Sequence, residues 1–272
     1  GGGTYRVGQR FGPSGVRELS SLGRGYNWDR DIKFTDALKV ADIGDCPTVP
    51  IDLKQTYERI EKFVGGVLAS GKKFVACGGD HSITLPMLRA LKKHYKKPLG
   101  LIHFDAHFDT FPPAWDCEYH HGTFARHAVE EKLVDPKKVL QIGIRGPFAT
   151  KDDTQFSKDH GFNVWTMDDI RKNGVESFLR KWPDFGDMPV YVSFDVDCLD
   201  PAFAPGTGTP VIGGLTTYEA QQFLRNLPNV NIVGSDVVEV IPAYDPTEIT
   251  QLAAVDVMFE LLCHMAERAR RK

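Results

Sequence analysis

Two apolar runs in this chain end in carboxylates too densely placed to be buried together without cations. Leu99–Asp105 continues into Ala106-His107-Phe108-Asp109, and residues 189–195 continue into Val196-Asp197. Together they supply Asp105, Asp109, Asp195 and Asp197, with His103 and His107 beside them. Such a set is costly to bury unless metal ions pair with it. The two runs must therefore finish side by side around a common centre, and few folds allow that.

The rest of the chain meets the demand. Strands are predicted at Lys73–Cys77, Leu99–Asp105, Val139–Ile144, 162–165, 189–195 and 231–238, and helices at 54–70, 82–95, 121–132, 167–182, 216–226 and 246–270. Near-continuous apolar strands alternating with helical periods indicate a three-layer α/β/α fold with a mostly parallel central sheet. Ligands of such sheets sit beyond the C-terminal strand ends, where all the candidate chemistry lies. The 272 residues suffice for one large domain, and no repeat or linker divides residues 1–272.

Composition removes several function classes. A net charge of −3, with basic residues spread through the chain, gives no footprint for nucleic acid or an anionic membrane. No apolar run approaches the ~20 residues needed to span a bilayer. Arg268, Arg270, Arg271 and Lys272 read as the solvated end of the last helix. The five cysteines are widely spaced without a C-x-x-C pair, as expected of reduced thiols in a cytoplasmic protein.

A period of two sharpens the metal reading. His103, Asp105, His107 and Asp109 alternate with Ile102, Phe104, Ala106 and Phe108, and Ser193, Asp195 and Asp197 alternate in the same way. His81, after Gly78-Gly79-Asp80 at a third strand end, can complete the set. Four aspartates balance two divalent ions. Mixed oxygen and imidazole donors suit manganese first, with nickel, cobalt or zinc as alternatives. Water on such ions ionises near neutral pH. Taken singly, a D-x-D is usually a cap or turn and a His-Asp pair a surface contact; only their combination after several strands points to metal. His103, one pair earlier on its strand, reads as a supporting residue. His94, His127, His160 and His264 read as surface groups, His120 as a residue of the entrance, and Cys198 as a packed small residue. Gly206-Thr207-Gly208 reads as a tight turn rather than a phosphate loop, because no Lys follows it.

These residues resemble the ureohydrolases, the arginase and agmatinase superfamily, and most of all its agmatinase branch. The matching motifs are Gly78-Gly79-Asp80-His81, Asp105-Ala106-His107-Phe108-Asp109, His121-Gly122-Thr123 and Gln141-Ile142-Gly143-Ile144-Arg145. They continue through Ser193 to Pro201, Ala204 to Pro210 and Gly213-Gly214-Leu215, and close on Asp236-Val237-Val238-Glu239-Val240. The resemblance runs from Arg10 onward and implies an arginase-like fold whose opening strand is missing or incomplete before Gly1. It implies one ion on His81 and Asp109, another on His107 and Asp197, and bridges from Asp105 and Asp195. Glu239 is implied as the carboxylate that receives a guanidinium. His121 is the implied proton-transfer histidine, assisted by Asp109. The implied reaction is attack of hydroxide on the guanidinium carbon, with urea and an amine as products. A homotrimer or homohexamer is implied by family habit alone.

Substrate choice is less constrained. Thr110 to Tyr119 lacks the Asn and Ser groups with which arginases hold an amino acid, whereas Cys117-Glu118 before His121-Gly122-Thr123 is similar to bacterial agmatinases. Agmatine is the expected substrate, with Glu118 or Asp116 attracting its distal ammonium. Phe108 stands where agmatinases usually carry Thr, and Phe111 to Trp115 is bulkier than their usual loop. Phe108 and Trp115 could then favour a guanidine, an alkylguanidine or biguanide, or a guanidino acid, some of these with nickel. A non-catalytic partner subunit and a single-zinc deacetylase are the competing classes. The complete ligand set with His121 and Glu239 counts against the first, and the surplus carboxylates count against the second.

Overall fold

The structure is a computed structural model that describes residues 1–148 and 150–271. Its main sheet has six parallel strands: β1 (Phe74–Cys77), β2 (Leu99–Phe104), β3 (Val134–Ile144), β4 (Asn163–Thr166), β5 (Pro189–Asp195) and β6 (Asn231–Val238). Their order is β1-β6-β5-β2-β3-β4. The two acid-ended strands are therefore neighbours, with His103 beside Ser193 and Phe104 beside Phe194. Alternation sorts their side chains into two cores. Ile102, Phe104, Val192 and Phe194 pack under the helices Thr217–Arg225 and Ile249–Arg270. Leu99, Leu101, Val139 and Tyr191 pack under Leu53–Ala69, Thr84–Tyr95 and Phe124–Glu130. The expected three-layer fold with a parallel centre is what forms.

Several local expectations need correction. The stretch 167–182 is two helices, Met167–Asn173 and Val175–Leu179, because Gly174 takes φ 74 and ends the first. Residues 26–37 carry order not foreseen: Tyr26–Asn27 pairs antiparallel with Ile32–Lys33 ahead of a short helix, Phe34–Ala37. That excursion is tied to the last helix by charge. Arg30 reaches Glu260 at 3.3 Å and Glu267 at 2.6 Å, and fully buried Glu260 also accepts Arg225 at 2.6 Å. The helix Ile249–Arg270 is long and apolar enough to cross a membrane, contrary to expectation, with a mean hydropathy of 1.4 over its most apolar stretch. Half of that stretch is buried inside the fold, and it carries the paired Glu260. Of the terminal basic cluster, Arg268 donates to Asn229 O at 2.6 Å, while Lys272 lies outside the described residues.

His127 and His264 are buried rather than on the surface. His127 lies 3.0 Å from Glu118 O through Nε2. His264 is 4% exposed and its Nδ1 has no partner. Burial pushes the His264 imidazole down to about 4. The unfolded chain, with the ordinary value near ~6.5, then binds a proton that the folded chain refuses. Stability is therefore lost as pH falls from about 6.5 toward 4, by roughly 2 kcal/mol at pH 4.5. Denaturant midpoints of the His264→Gln protein should fall less between pH 7 and 4.5 than those of the parent. Equal falls would contradict this account.

Candidate metal centre

The ligands are aimed by turns that follow the strands, not by strand period alone. β2 stops at Phe104, and two further ladder bonds, Asp105 N to Ile142 O and Arg145 N to Ala106 O (both 3.0 Å), carry the chain past it. Gly143, at φ 105, makes room: a Cβ there would lie 2.9 Å from Asp105 O. Asp105 Oδ1 accepts the His107 N–H at 2.6 Å, and Asp195 Oδ1 accepts the Asp197 N–H at 2.8 Å. Each bridging candidate thus closes an Asx turn with one oxygen and leaves the other facing inward. Asp109 takes the left-handed region at φ 50, and Asp197 lies in the 3-10 turn Val196–Cys198. Ala106 N to Asp197 Oδ1, at 3.0 Å, joins the two turns. From the other side, the Arg145 guanidinium donates to the carbonyls of Asp197, Cys198 and Leu199.

The first cation position is defined by an arrangement that hydrogen bonds cannot explain. His81 Nδ1 lies 3.1 Å from Oδ2 of each of Asp105, Asp109 and Asp195. One ring nitrogen carries at most one proton and cannot donate to three carboxylates. A cation accepting all four donors resolves the conflict. The opposite nitrogen agrees: Nε2 is 2.8 Å from Ser193 Oγ, which donates to Asp236 Oδ1 at 2.6 Å. With Nε2 as the donor, Nδ1 keeps its lone pair for a metal. Around the second position, His107 Nδ1 lies 3.2 Å from Asp105 Oδ1 and 3.1 Å from Asp197 Oδ2. Asp105 therefore presents one oxygen to each group.

His103 stays out of coordination, although its ring packs into the first group. Its Nδ1 accepts from Gln141 at 3.0 Å, so Nε2 donates to Asp105 Oδ2 at 2.7 Å. Charge supports the same conclusion. Burial and the charges of Asp197 and Asp105 push Asp195 well above the carboxylate range. Burial disfavours protonating His81 and His107, yet the surrounding carboxylates hold both well above the imidazole range. Protons must stand in wherever cations do not. The donor set fits two divalent ions.

Asp236 also accepts Thr84 Oγ1 at 2.6 Å and the Tyr191 hydroxyl at 2.7 Å, so it is fixed from several sides. Ser193→Ala should leave the fold intact and free the His81 ring, weakening metal affinity by about 10–100-fold. Metal titration followed by calorimetry measures this, and unchanged affinity would remove Ser193 from the support of His81.

Glu239 enters from the end of β6, in the left-handed region at φ 68. Its Oε1 accepts the His81 N–H at 2.8 Å and lies 3.1 Å from His121 Nδ1; its Oε2 accepts the Gln9 amide at 2.9 Å. Gly208 lets the chain approach closely here, since a Cβ would lie 2.7 Å from Gln9 Nε2 and 2.9 Å from Glu239 Oε2. That close approach agrees with a tight turn beside the site. Burial alone would lower His121, but the hydrogen bond and charge of Glu239 hold its imidazole up to about 9. A cleft of about 370 Å³ opens over His107, Asp109 and His121, with Phe111, Trp115, His120, Asp153 and Thr209 on its walls.

Three expected substrate contacts are not among the cleft's lining residues, and one of them, fully buried Glu239, meets the cleft only through His121. Phe108 is 5% exposed and packs on Phe148 with ring centroids 5.5 Å apart, because it points to the apolar side of its turn. Glu118 is exposed, pairs with Lys54 at 3.3 Å and is not among the cleft's lining residues; Asp116 is not among them either. Trp115 does line the cleft, 77% exposed, and His120 lies at the entrance as expected. Thr4, Gln9 and Asp153 are near the site without having been foreseen. Neutral Gln9 sits 230 positions from Glu239 and carries no motif.

A parallel α/β sheet with six carboxylate and imidazole donors in two groups at its C-terminal edge defines a dinuclear metallohydrolase. The chain belongs to the arginase family, whose model matches residues 1–264. A guanidinopropionase of Pseudomonas aeruginosa is 48% identical over all of this chain and 85% of its own length. An agmatinase of Photorhabdus laumondii is 46% identical over 97% of this chain and 84% of its own. Among solved structures, proclavaminate amidino hydrolase from Streptomyces clavuligerus superposes with a TM-score of 0.92 at 40% identity, covering 98% of this chain and 89% of that one.

Proposed function

We propose that this ureohydrolase converts agmatine to putrescine and urea. Hydrolysis of a guanidino C–N bond rests on the family and on relatives named agmatinase and guanidinopropionase. The choice of agmatine rests on the cleft. Apart from the would-be ligand Asp109, its lining carries the carboxylate of Asp153 and, among the described residues, no Lys or Arg. A distal ammonium is favoured there and a distal carboxylate is repelled.

His81, Asp109, Asp105 and Asp195 would hold one ion, and His107, Asp197, Asp105 and Asp195 the other. When bound, the ions supply a water ionised near neutral pH. The oxygen-rich set supports manganese, with nickel second. Glu239 binds the guanidinium through Oε2, where the neutral Gln9 amide is a donor that a charge-assisted pair can replace. His121 supplies the proton that the departing amine requires, and Nε2 is the atom it leaves, because Nδ1 faces Glu239. Trp115 and Phe111 cover the methylene chain and exclude water.

A guanidino acid is the second reading, favoured by the 48% identity to a guanidinopropionase and by the His120 imidazole in the same cleft. Five free cysteines support a cytoplasmic location. Residues 1–272 are taken as one domain, assembled as a trimer or hexamer. Urea release from agmatine, guanidinobutyrate, guanidinopropionate, arginine, guanidine and methylated biguanides, after loading with manganese or nickel, tests the reading. Agmatine should give the highest kcat/KM. A guanidino acid ahead of it would overturn the substrate, and no urea with either metal would overturn the reaction.

A further inference from the structure

The N-terminal segment lies across the site and is pinned at several points. Gly2 N donates to Asp80 Oδ2 at 2.9 Å, and Gly2 O accepts the His121 N–H at 3.0 Å. Arg6 donates to the carbonyls of Pro205 and Thr207, and Gln9 holds Glu239. Between these anchors, Thr4 lines the cleft with its Oγ 2.8 Å from His121 Nε2. The other ring nitrogen is turned inward to Glu239 at 3.1 Å. A proton that leaves His121 toward the cleft therefore departs from the nitrogen on which the Thr4 hydroxyl rests.

We infer that Thr4 is a proton relay between His121 and the departing amine. The inference rests on the proposed role of His121 as the acid. The Nε2–H bond breaks as a new O–H bond forms on Thr4 Oγ. The original Thr4 proton passes to the lone pair of the leaving nitrogen, which also keeps the electrons of the broken C–N bond. His121 is left neutral and regains its proton from water. Serine can perform the same exchange and valine, of nearly the same shape, cannot.

Thr4→Val should lower kcat on agmatine by about tenfold or more, with KM and metal content close to the parent. Thr4→Ser should restore most of that loss. On (4-nitrophenyl)guanidine, whose 4-nitroaniline is a far stronger N–H acid than an alkylamine and departs with less need of a proton, Thr4→Val should lose clearly less than on agmatine. No loss on agmatine, an equal loss on both substrates, or a serine variant as slow as the valine variant each overturns the relay. Apart from turnover, 15N spectra of metal-free, histidine-labelled protein should show one Nε2 resonance displaced in Thr4→Val and retained in Thr4→Ser. An unchanged spectrum overturns the contact itself. A parent enzyme inactive on every guanidine overturns the function proposed above and the relay with it, whereas an active parent beside an unimpaired Thr4→Val overturns the relay alone.

Discussion

Asp105→Asn should remove both metal ions from the protein, not one. Asp105 directs Oδ2 to His81 and Oδ1 to His107, so it belongs to both donor groups at once. Asparagine keeps the shape and one oxygen, and its carbonyl can still accept the His107 N–H that closes the turn. It loses one negative charge and offers an NH2 donor where a cation must approach. Metal analysis should fall from about two ions per chain to well below one, and urea release should fall by at least ~10³-fold. His103 sharpens the test, because its Nε2 donates to the oxygen shared with the first group. Retention of two ions by the asparagine variant would show that Asp105 does not bridge.

Glu239→Gln should have nearly as large an effect on activity and none on metal content. Glu239 touches the backbone N–H of His81, the ring of His121 and the amide of Gln9, but no ligand atom of either donor group. Glutamine can still accept from His81 and keep the local backbone. It lacks the charge that would pair with a guanidinium at Oε2, and activity should fall by at least ~10²-fold. The same charge holds His121 up to about 9 against its burial. Its removal should let the imidazole titrate lower, toward the ordinary ~6.5, and NMR titration of the metal-free protein reads this directly. A variant that has lost its ions, or whose His121 titrates as before, would assign Glu239 a structural part instead.

The candidate metal ligands were legible because each carries its chemistry in its residue type and follows an apolar run. Asp105, His107, Asp109, Asp195, Asp197 and His81 could all be named from spacing and charge. Strand period was the wrong reason for two of them. Asp109 and Asp197 reach the centre through a left-handed residue and a 3-10 turn, which period two does not encode. Ser193 and Asp236 left a fainter signal, as polar residues inside strands too apolar to carry them idly. Phe108 was misleading for a simple reason. Proximity to a ligand in sequence says nothing of which side of the turn a ring will take, and this ring took the core. Buried His264 and the Arg30–Glu260–Arg225 cluster were hidden because their partners come from distant segments.

The sequence by itself determined the layered fold and the demand for two cations, since both follow from local composition. Apolar period sets strand and helix, and four adjacent carboxylates cannot be buried without countercharge. The tertiary structure alone decided what surrounds that centre. Strand order placed β5 beside β2 and so merged two acidic runs into one site. The crossing of the N-terminal segment then set Thr4 on His121 and Gln9 on Glu239, and packing set Asp153 in the cleft in place of Glu118. These last contacts join residues far apart in the chain, and their energies depend on distances that exist only once the layers have packed.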